Sequence, residues 1–157
     1  MNIYSIITAI IFIFSSLSFA EAFAQKVTGE FPSGLRYMLQ IDERPYVVEK
    51  GALPDDGSMW GIDGGFPHYV VTTFSLELAG NKVTIPRKMY ADVSDVHSAS
   101  IKEEGDLIKI VIKGGDAAGS YQAEYAVKSG VLIERIVRTT ECPSHTEKTV
   151  FTECEGE

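Results

Sequence analysis

Residues 106–128 read DLIKIVIKGGDAAGSYQAEYAVK, and this stretch decides the fold. In its first half apolar and polar residues alternate, so that Ile108, Ile110 and Ile112 share one face. Alternation with a period of two indicates a half-buried strand, because successive side chains of a strand point to opposite faces. The second half alternates in the same way, and one face carries Tyr121, Ala123, Tyr125 and Val127. The stretch therefore predicts two strands joined by a loop of small residues.

The same alternation continues outward along the chain. In HYVVTTFSLEL (residues 68–78), one predicted face carries Val70, Thr72, Phe74, Leu76 and Leu78. Gly80-Asn81, Gly105-Asp106 and Ser129-Gly130 are typical of tight turns. Further strands are predicted over residues 35–41, 45–50, 83–86, 98–104, 131–139 and 148–153. About eight strands joined by tight turns predict an all-β fold, an antiparallel sandwich or barrel.

One predicted strand does not divide cleanly into two faces. In VLIERIVRT (residues 131–139), strict alternation forces either Glu134 or Arg135 toward the core. In the short strand of residues 83–86, Val83 and Ile85 are predicted to point inward.

The first 24 residues are predicted to form a separate export segment. A largely apolar run from Ile6 to Phe14 is followed by serines and then by Ala22-Phe23-Ala24. This is the plan of a secretory signal peptide, because the peptidase pocket admits only short side chains at the cleavage site. We expect cleavage after Ala24, with Ser18-Phe19-Ala20 as a competing site, and one antiparallel β domain over residues 25–157.

An uncleaved membrane anchor is the alternative interpretation of residues 1–24. The stretch of residues 3–24 reaches the length of about 20 residues that a spanning helix needs. Serines and Glu21 weaken its second half, however, which favours cleavage. We therefore expect a periplasmic or secreted protein with no stable membrane insertion after cleavage.

The chain is acidic. It has 14 basic and 22 acidic residues, for a formal net charge of −8, and removal of residues 1–24 takes away only Glu21. An acidic surface repels nucleic acid and anionic lipid, so no nucleic-acid partner is expected. The charge would attract a basic protein partner, although solubility alone also accounts for it.

The two cysteines, Cys142 and Cys154, lie near the C-terminus. In an exported chain an even number of cysteines predicts a disulfide. Closing so short a loop stabilises by roughly 3 kcal/mol in the chain-entropy model. A zinc site formed by these cysteines and His145 is the alternative, but it offers three ligands and no second pair at finger spacing. We favour the disulfide and expect no metal or cofactor.

The longest irregular stretch is ALPDDGSMWGIDGGFP, residues 52–67. Its aspartates are Asp55, Asp56 and Asp63. An EF-hand starting at the second of these is excluded, because Trp60 would stand at position 5 and Pro67 at position 12. An irregular calcium site is one alternative. The favoured prediction is a compact loop that Trp60 and Phe66 pin to the sheet.

Motifs of known enzymes do not match this chain. KGGDAAGSY (residues 113–121) lacks the Gly-Lys-Ser/Thr ending of a P-loop, and Ser120 is not in a Gly-x-Ser-x-Gly sequence. We therefore expect binding rather than catalysis. The alternative is a hydrolase or metal-dependent enzyme that uses His68 or His97 with aspartates of residues 52–67.

The loop of small residues carries a resemblance. An export segment, a β-rich body and a small-residue loop ending in Gly-x-Tyr between two strands resemble the bacterial periplasmic lysozyme inhibitors. Those families carry a Ser-Gly-x-Tyr motif on a loop that inserts into the active-site cleft of lysozyme. The matching stretch here is Ala118-Gly119-Ser120-Tyr121. Ala118 stands where the family has serine, so the hydroxyl would have to come from Ser120.

The resemblance implies an inhibitor of a basic cell-wall hydrolase. It implies that the residues in contact with the partner are Asp116, Gly119, Ser120 and Tyr121. The alternative for the loop is a flexible hairpin connection with Tyr121 in the core, which the alternation of the following strand supports equally. The alternative for the protein is an envelope protein of structural role.

Overall fold

The computed structural model describes residues 24–54 and 57–151. Four features predicted from the sequence fall outside these residues: the body of the signal peptide, Asp55, Asp56 and Cys154. The signal peptide and the disulfide therefore stay predictions. Cys142 is described and is exposed, with its Sγ 3.1 Å from the Ser144 Oγ.

The described residues form two antiparallel sheets. The first sheet has the order β1 (Ala24–Glu30), β2 (Arg36–Pro45), β3 (Tyr69–Leu78), β4 (Asn81–Val83). The second has the order β5 (Val96–Glu104), β6 (Leu107–Gly114), β7 (Tyr121–Lys128), β8 (Val131–Thr139), β9 (Thr146–Val150). Two single-turn 3-10 helices, Arg87–Met89 and Ala117–Gly119, complete the described structure. The predicted antiparallel all-β fold is confirmed, and the two sheets form a sandwich.

Each strand pairs with its neighbour in the sequence, and the chain passes from one sheet to the other between β4 and β5. Two turns have a positive φ at both central residues, Ala79-Gly80 and Ser129-Gly130. This geometry fits the right-handed twist of a two-residue hairpin. The first of these turns lies one residue earlier than predicted, because Asn81 already belongs to β4. Of the helical turns in the described ranges, none has the length and apolar character to cross a membrane.

The described residues form one hydrophobic core, which lies between the sheets. The predicted inward faces of β6 and β7 are confirmed, with exposures of 7 % or less for Ile108, Ile110, Ile112, Tyr121, Ala123, Tyr125 and Val127. The Tyr125 ring meets the Phe74 ring of the other sheet edge-on, with 4.8 Å between the ring centroids. Val83 and Ile85 are also buried, as predicted. The two sheets are therefore joined by direct contacts between side chains of both.

Two sequence-based predictions about the first sheet were wrong in detail. Residues 46–50 are not a strand: after Pro45 the chain leaves the sheet, and Val47 and Val48 are exposed. In β3 an extra residue, Thr72, interrupts the register with β2, so Val71 replaces Val70 on the buried face. Such a bulge reverses the faces on its two sides, because one added residue shifts the alternation by one position.

A second register shift decides the orientation of β8. It lies between Ala126 and Val127 on β7, where β8 contributes one residue more than its partner. Leu132 and Arg135 both face inward as a result, and the Arg135 side chain is only 2 % exposed. Arg135 is thus the residue that takes the inward position left open by the sequence.

Candidate functional site

The small-residue loop between β6 and β7 packs against the long loop of residues 52–67. A Cβ on Gly115 would lie 2.6 Å from the Gly61 Cα, and a Cβ on Gly119 would lie 2.5 Å from the Ile62 carbonyl oxygen. A Cβ does not approach other heavy atoms this closely, so only glycine fits at these positions. We name this region, formed by Gly61, Ile62, Gly115 and Gly119, the glycine contact. The glycines of the loop therefore serve contact between two loops, which the sequence analysis did not foresee.

Tyr121, which the resemblance placed at the partner surface, is buried. Its side chain is 1 % exposed, and its hydroxyl donates a hydrogen bond of 2.9 Å to the Ser94 carbonyl oxygen. Burial raises the pKa of the Tyr121 hydroxyl well above its ordinary range. A direct contact of Tyr121 with a partner was therefore the wrong prediction, and the alternative of a core tyrosine is correct.

The other three residues of the predicted contact loop differ in their exposure. Ser120 is half-buried and donates its hydroxyl hydrogen bond to the Ala117 carbonyl oxygen at 2.8 Å. Gly119 is half-buried at the glycine contact, and Asp116 is exposed. Asp116 is therefore the charged group that this loop presents to solvent.

Asp116 borders a groove of about 430 Å³ at one end of the sandwich. We name it the acidic groove. It is lined by Glu43, His68, Tyr69, Asp95, Val96, His97, Gly115 and Asp116. The groove brings together residues from β2, from the start of β3, from the start of β5 and from the loop after β6. Sequence reasoning considered His68 and His97 with the aspartates of residues 52–67, whereas the carboxylates that meet them come from other segments.

Asp95 organises the wall of the groove. Its carboxylate accepts hydrogen bonds from the backbone N–H of His68 at 3.0 Å and of Tyr69 at 2.8 Å. Its own carbonyl oxygen accepts one from the Gly115 N–H at 3.0 Å. Asp95 has a φ of 47°, in the left-handed region that aspartate adopts more readily than most other non-glycine residues. A single residue thus links the first sheet, the second sheet and the loop that carries Asp116.

Glu43 is the buried carboxyl group of the groove. Its side chain is 2 % exposed, and Oε1 accepts a hydrogen bond from the Val96 N–H at 2.9 Å. Burial raises the pKa of the Glu43 carboxyl above its usual value, and the nearby charge of Asp95 acts in the same direction. The Val96 hydrogen bond opposes both effects. Burying a carboxyl group is costly, so its position beside a groove calls for an explanation.

The sequence does contain a signal for the inward position of Glu43, which sequence reasoning missed. Leu39, Ile41 and Glu43 are each two residues apart on β2 and all face inward. A glutamate in phase with the buried residues of a strand indicates an inward carboxyl group. Asp95 gave no comparable signal, because its role depends on backbone groups 26 and 27 residues away.

Among the residues that the structure describes, no lysine or arginine balances the charges of the groove. In the described ranges, neither Glu43 nor Asp116 forms an ion pair with a lysine or arginine. Among the described residues, Asp95 has only the His68 Nδ1 within ion-pair distance, at 3.8 Å, and that imidazole is largely exposed. No group of three or more metal-ligating side chains is present in the described part of the chain. The groove can therefore accept a cationic group from outside.

The long loop behaves as predicted around its tryptophan. Trp60 is half-buried and packs against the core, and its backbone forms a bridge with Val93. Phe66 stacks on Tyr46 with 6.0 Å between ring centroids, so it pins the loop to residues beyond β2 rather than to the sheet itself. Comparisons with known proteins give no further guide, since no protein-family model, curated protein or solved structure matches this chain.

Proposed function

We propose that this protein is an exported binding domain that takes up a basic group of a partner in the acidic groove. One observation carries the proposal: Glu43, Asp95 and Asp116 converge on an open groove, and the described residues supply no lysine or arginine to pair with Glu43 or Asp116. A lysine or arginine side chain of a partner would provide the missing countercharge. The net charge of −8 would steer such a partner toward the domain.

The specific partner that we propose is a basic cell-wall hydrolase of the lysozyme type. Support comes from the resemblance of the Ala118–Tyr121 stretch to the lysozyme inhibitors and from the position of this loop at the edge of the groove. The proposed contact with the hydrolase differs from that of the family's Ser-Gly-x-Tyr motif, because Tyr121 is buried in the core of this chain. Asp116 and the groove take the place of the tyrosine in contacting the partner.

The test is the rate at which lysozymes of several classes lyse a cell-wall suspension with and without the purified protein. We expect slower lysis with at least one class, and weaker inhibition as salt is added, because exposed charge pairs are screened. An unchanged rate of lysis with every lysozyme class would refute the hydrolase proposal. The alternative, an envelope protein of structural role, would then be favoured.

Two variants locate the effect. Asp116→Asn should reduce the association rate several-fold, since it removes an exposed charge. Glu43→Gln should weaken binding about tenfold or more, because it removes the buried countercharge. Asp63→Asn is the matched control, since it removes one exposed carboxylate from the neighbouring loop. Equal effects of Asp63→Asn and Asp116→Asn would show that only net charge matters and would contradict a role of the groove.

A further inference from the structure

A second cleft, of about 400 Å³, borders the same glycine contact. We name it the tryptophan cleft and define it by Trp60, Asp92, Thr139, His145 and Glu147, which lie along its lining. Its volume falls in the range of sites for small ligands, roughly 300–1,000 Å³. It is separate from the acidic groove in its side chains and in the strands that build it.

Two carboxylates at this cleft are held in place by a buried arginine. The Arg135 Nη2 donates to both oxygens of Asp92 and the Nη1 donates to the Glu147 Oε1, all at 2.7 Å. Arg135 is 2 % exposed, whereas the side chains of Asp92 and Glu147 are 26 % and 49 % exposed. The guanidinium therefore fixes the two carboxylates from behind while their remaining lone pairs stay accessible.

The fold alone does not require this arrangement. Burying a guanidinium carries a large desolvation cost, and replacing a buried ion pair as a whole by apolar side chains of similar volume often leaves a core equally stable. The Arg135 Nε is also buried without a hydrogen-bond partner among the described residues. In return for this desolvation cost, Arg135 holds two hydrogen-bond acceptors, Asp92 and Glu147, in fixed positions at the edge of the cleft. Acceptors in fixed positions suit a ligand that donates hydrogen bonds.

The Trp60 ring supplies an apolar surface beside these acceptors. Its backbone is fixed on both sides: the N–H donates to the Asp92 carbonyl oxygen at 2.7 Å, and the carbonyl oxygen accepts from the Ser94 hydroxyl at 2.7 Å. The ring lies 5.3 Å from the His145 ring, centroid to centroid. The Trp60 backbone is thus anchored to Asp92 and Ser94, and Trp60 lines the same cleft as Asp92.

The charges of the cleft select the class of ligand. The two carboxylates disfavour an anion, and a cation would have to share both of them with the Arg135 guanidinium, which already pairs with each. A neutral molecule with hydroxyl groups along its edge and C–H groups on its face matches both the acceptors and the ring. We propose that the tryptophan cleft is a saccharide-binding site, in which Asp92 and Glu147 accept hydrogen bonds from sugar hydroxyls and Trp60 packs against the sugar face. This site does not depend on the proposed hydrolase binding.

The chain contains its own reporter, because Trp60 is the only tryptophan. The experiment titrates the full chain separately with cellotetraose, maltotetraose and the N-acetylglucosamine tetramer, while Trp60 emission is followed. We expect a saturable change with at least one of them. No change with any of the three up to their solubility limits would overturn the proposal, as would an equal change with tetramethylammonium or acetate.

Variants tie the signal to the cleft. Glu147→Gln should lower the affinity for the responding saccharide about tenfold, because one charge-assisted hydrogen bond is lost. Asp116→Asn, in the acidic groove, should leave saccharide affinity unchanged. Glu147 is half exposed, so its substitution should leave the fold intact, and circular dichroism checks this. Isothermal titration calorimetry measures the same affinity without relying on Trp60 fluorescence. Saccharide binding that is insensitive to Glu147→Gln would overturn the assignment to this cleft.

Discussion

Gly119→Ala tests the close packing of the two loops directly. The new Cβ would lie 2.5 Å from the Ile62 carbonyl oxygen and 2.6 Å from the Ile62 carbonyl carbon. These are backbone atoms, so no side-chain rotation can relieve the crowding. Gly119 does not have a positive φ, so overpacking is the only cost. Overpacking typically costs about 1–3 kcal/mol, and we expect about 2–3 kcal/mol here because backbone must move.

The assay is urea unfolding of the full chain, followed by Trp60 fluorescence, with thermal unfolding as a second measurement. A loss of about 2–3 kcal/mol corresponds to a fall in Tm of roughly 6–12 °C for a domain of this size. Gly65→Ala is the matched control: it also has no positive φ, and no atom lies within 4 Å of the position that its new Cβ would take. We expect that control to stay within about 0.5 kcal/mol of wild type or to gain stability. Equal midpoints for the two variants would refute the argument that the loop glycines exist for packing.

Three further predictions concern buried polar groups. Tyr121→Phe should lower the free energy of unfolding by about 1–2 kcal/mol, because the Ser94 carbonyl loses its donor; urea unfolding measures this, and an unchanged midpoint would contradict it. Because Glu43 has a raised pKa in the folded state, the folded chain binds more protons, so stability should fall as pH rises from 4.5 through that pKa. Glu43→Gln should flatten this slope in a series of Tm values against pH, and an identical slope in both proteins would exclude Glu43 as its source. Arg135→Met should lower the free energy of unfolding, measured with urea, by about 1–3 kcal/mol. This is less than the roughly 3–5 kcal/mol lost when a fully buried ion pair is broken, because the partner carboxylates of Arg135 stay partly hydrated. A loss above about 3 kcal/mol would contradict this reasoning and show that the carboxylates depend on the arginine for solvation.

The sequence predicted the strands best where the pairing is regular. Ile110 and Tyr125 were placed on the correct face because alternation runs unbroken through β6 and β7. The prediction was wrong at Thr72, and the faces of β8 were left undecided, because an extra residue reverses the faces in each place. A bulge is decided by the register of the partner strand, which the pattern of one strand does not contain.

The candidate sites were predictable only in part. Asp116, predicted to contact a partner, is exposed, and its contact with a partner stays a prediction. Tyr121 was placed at the surface on the strength of a short motif, although its alternation with Tyr125 already indicated the core. The carboxylate pair of the tryptophan cleft depends on Arg135 reaching two segments 12 and 43 residues away, and such long-range convergence is visible only once the sheets have formed.

The order of the strands has a consequence for how the molecule can be divided. Each sheet is contiguous in sequence, and a cut near Pro86 would leave every strand-to-strand ladder intact on one side or the other. Two fragments made this way would each carry one complete sheet with its apolar face, and the first would also carry the long connection of residues 46–68 between β2 and β3. The protein is therefore suited to fragment complementation, with reassembly driven by the apolar faces and reported by the environment of its one indole.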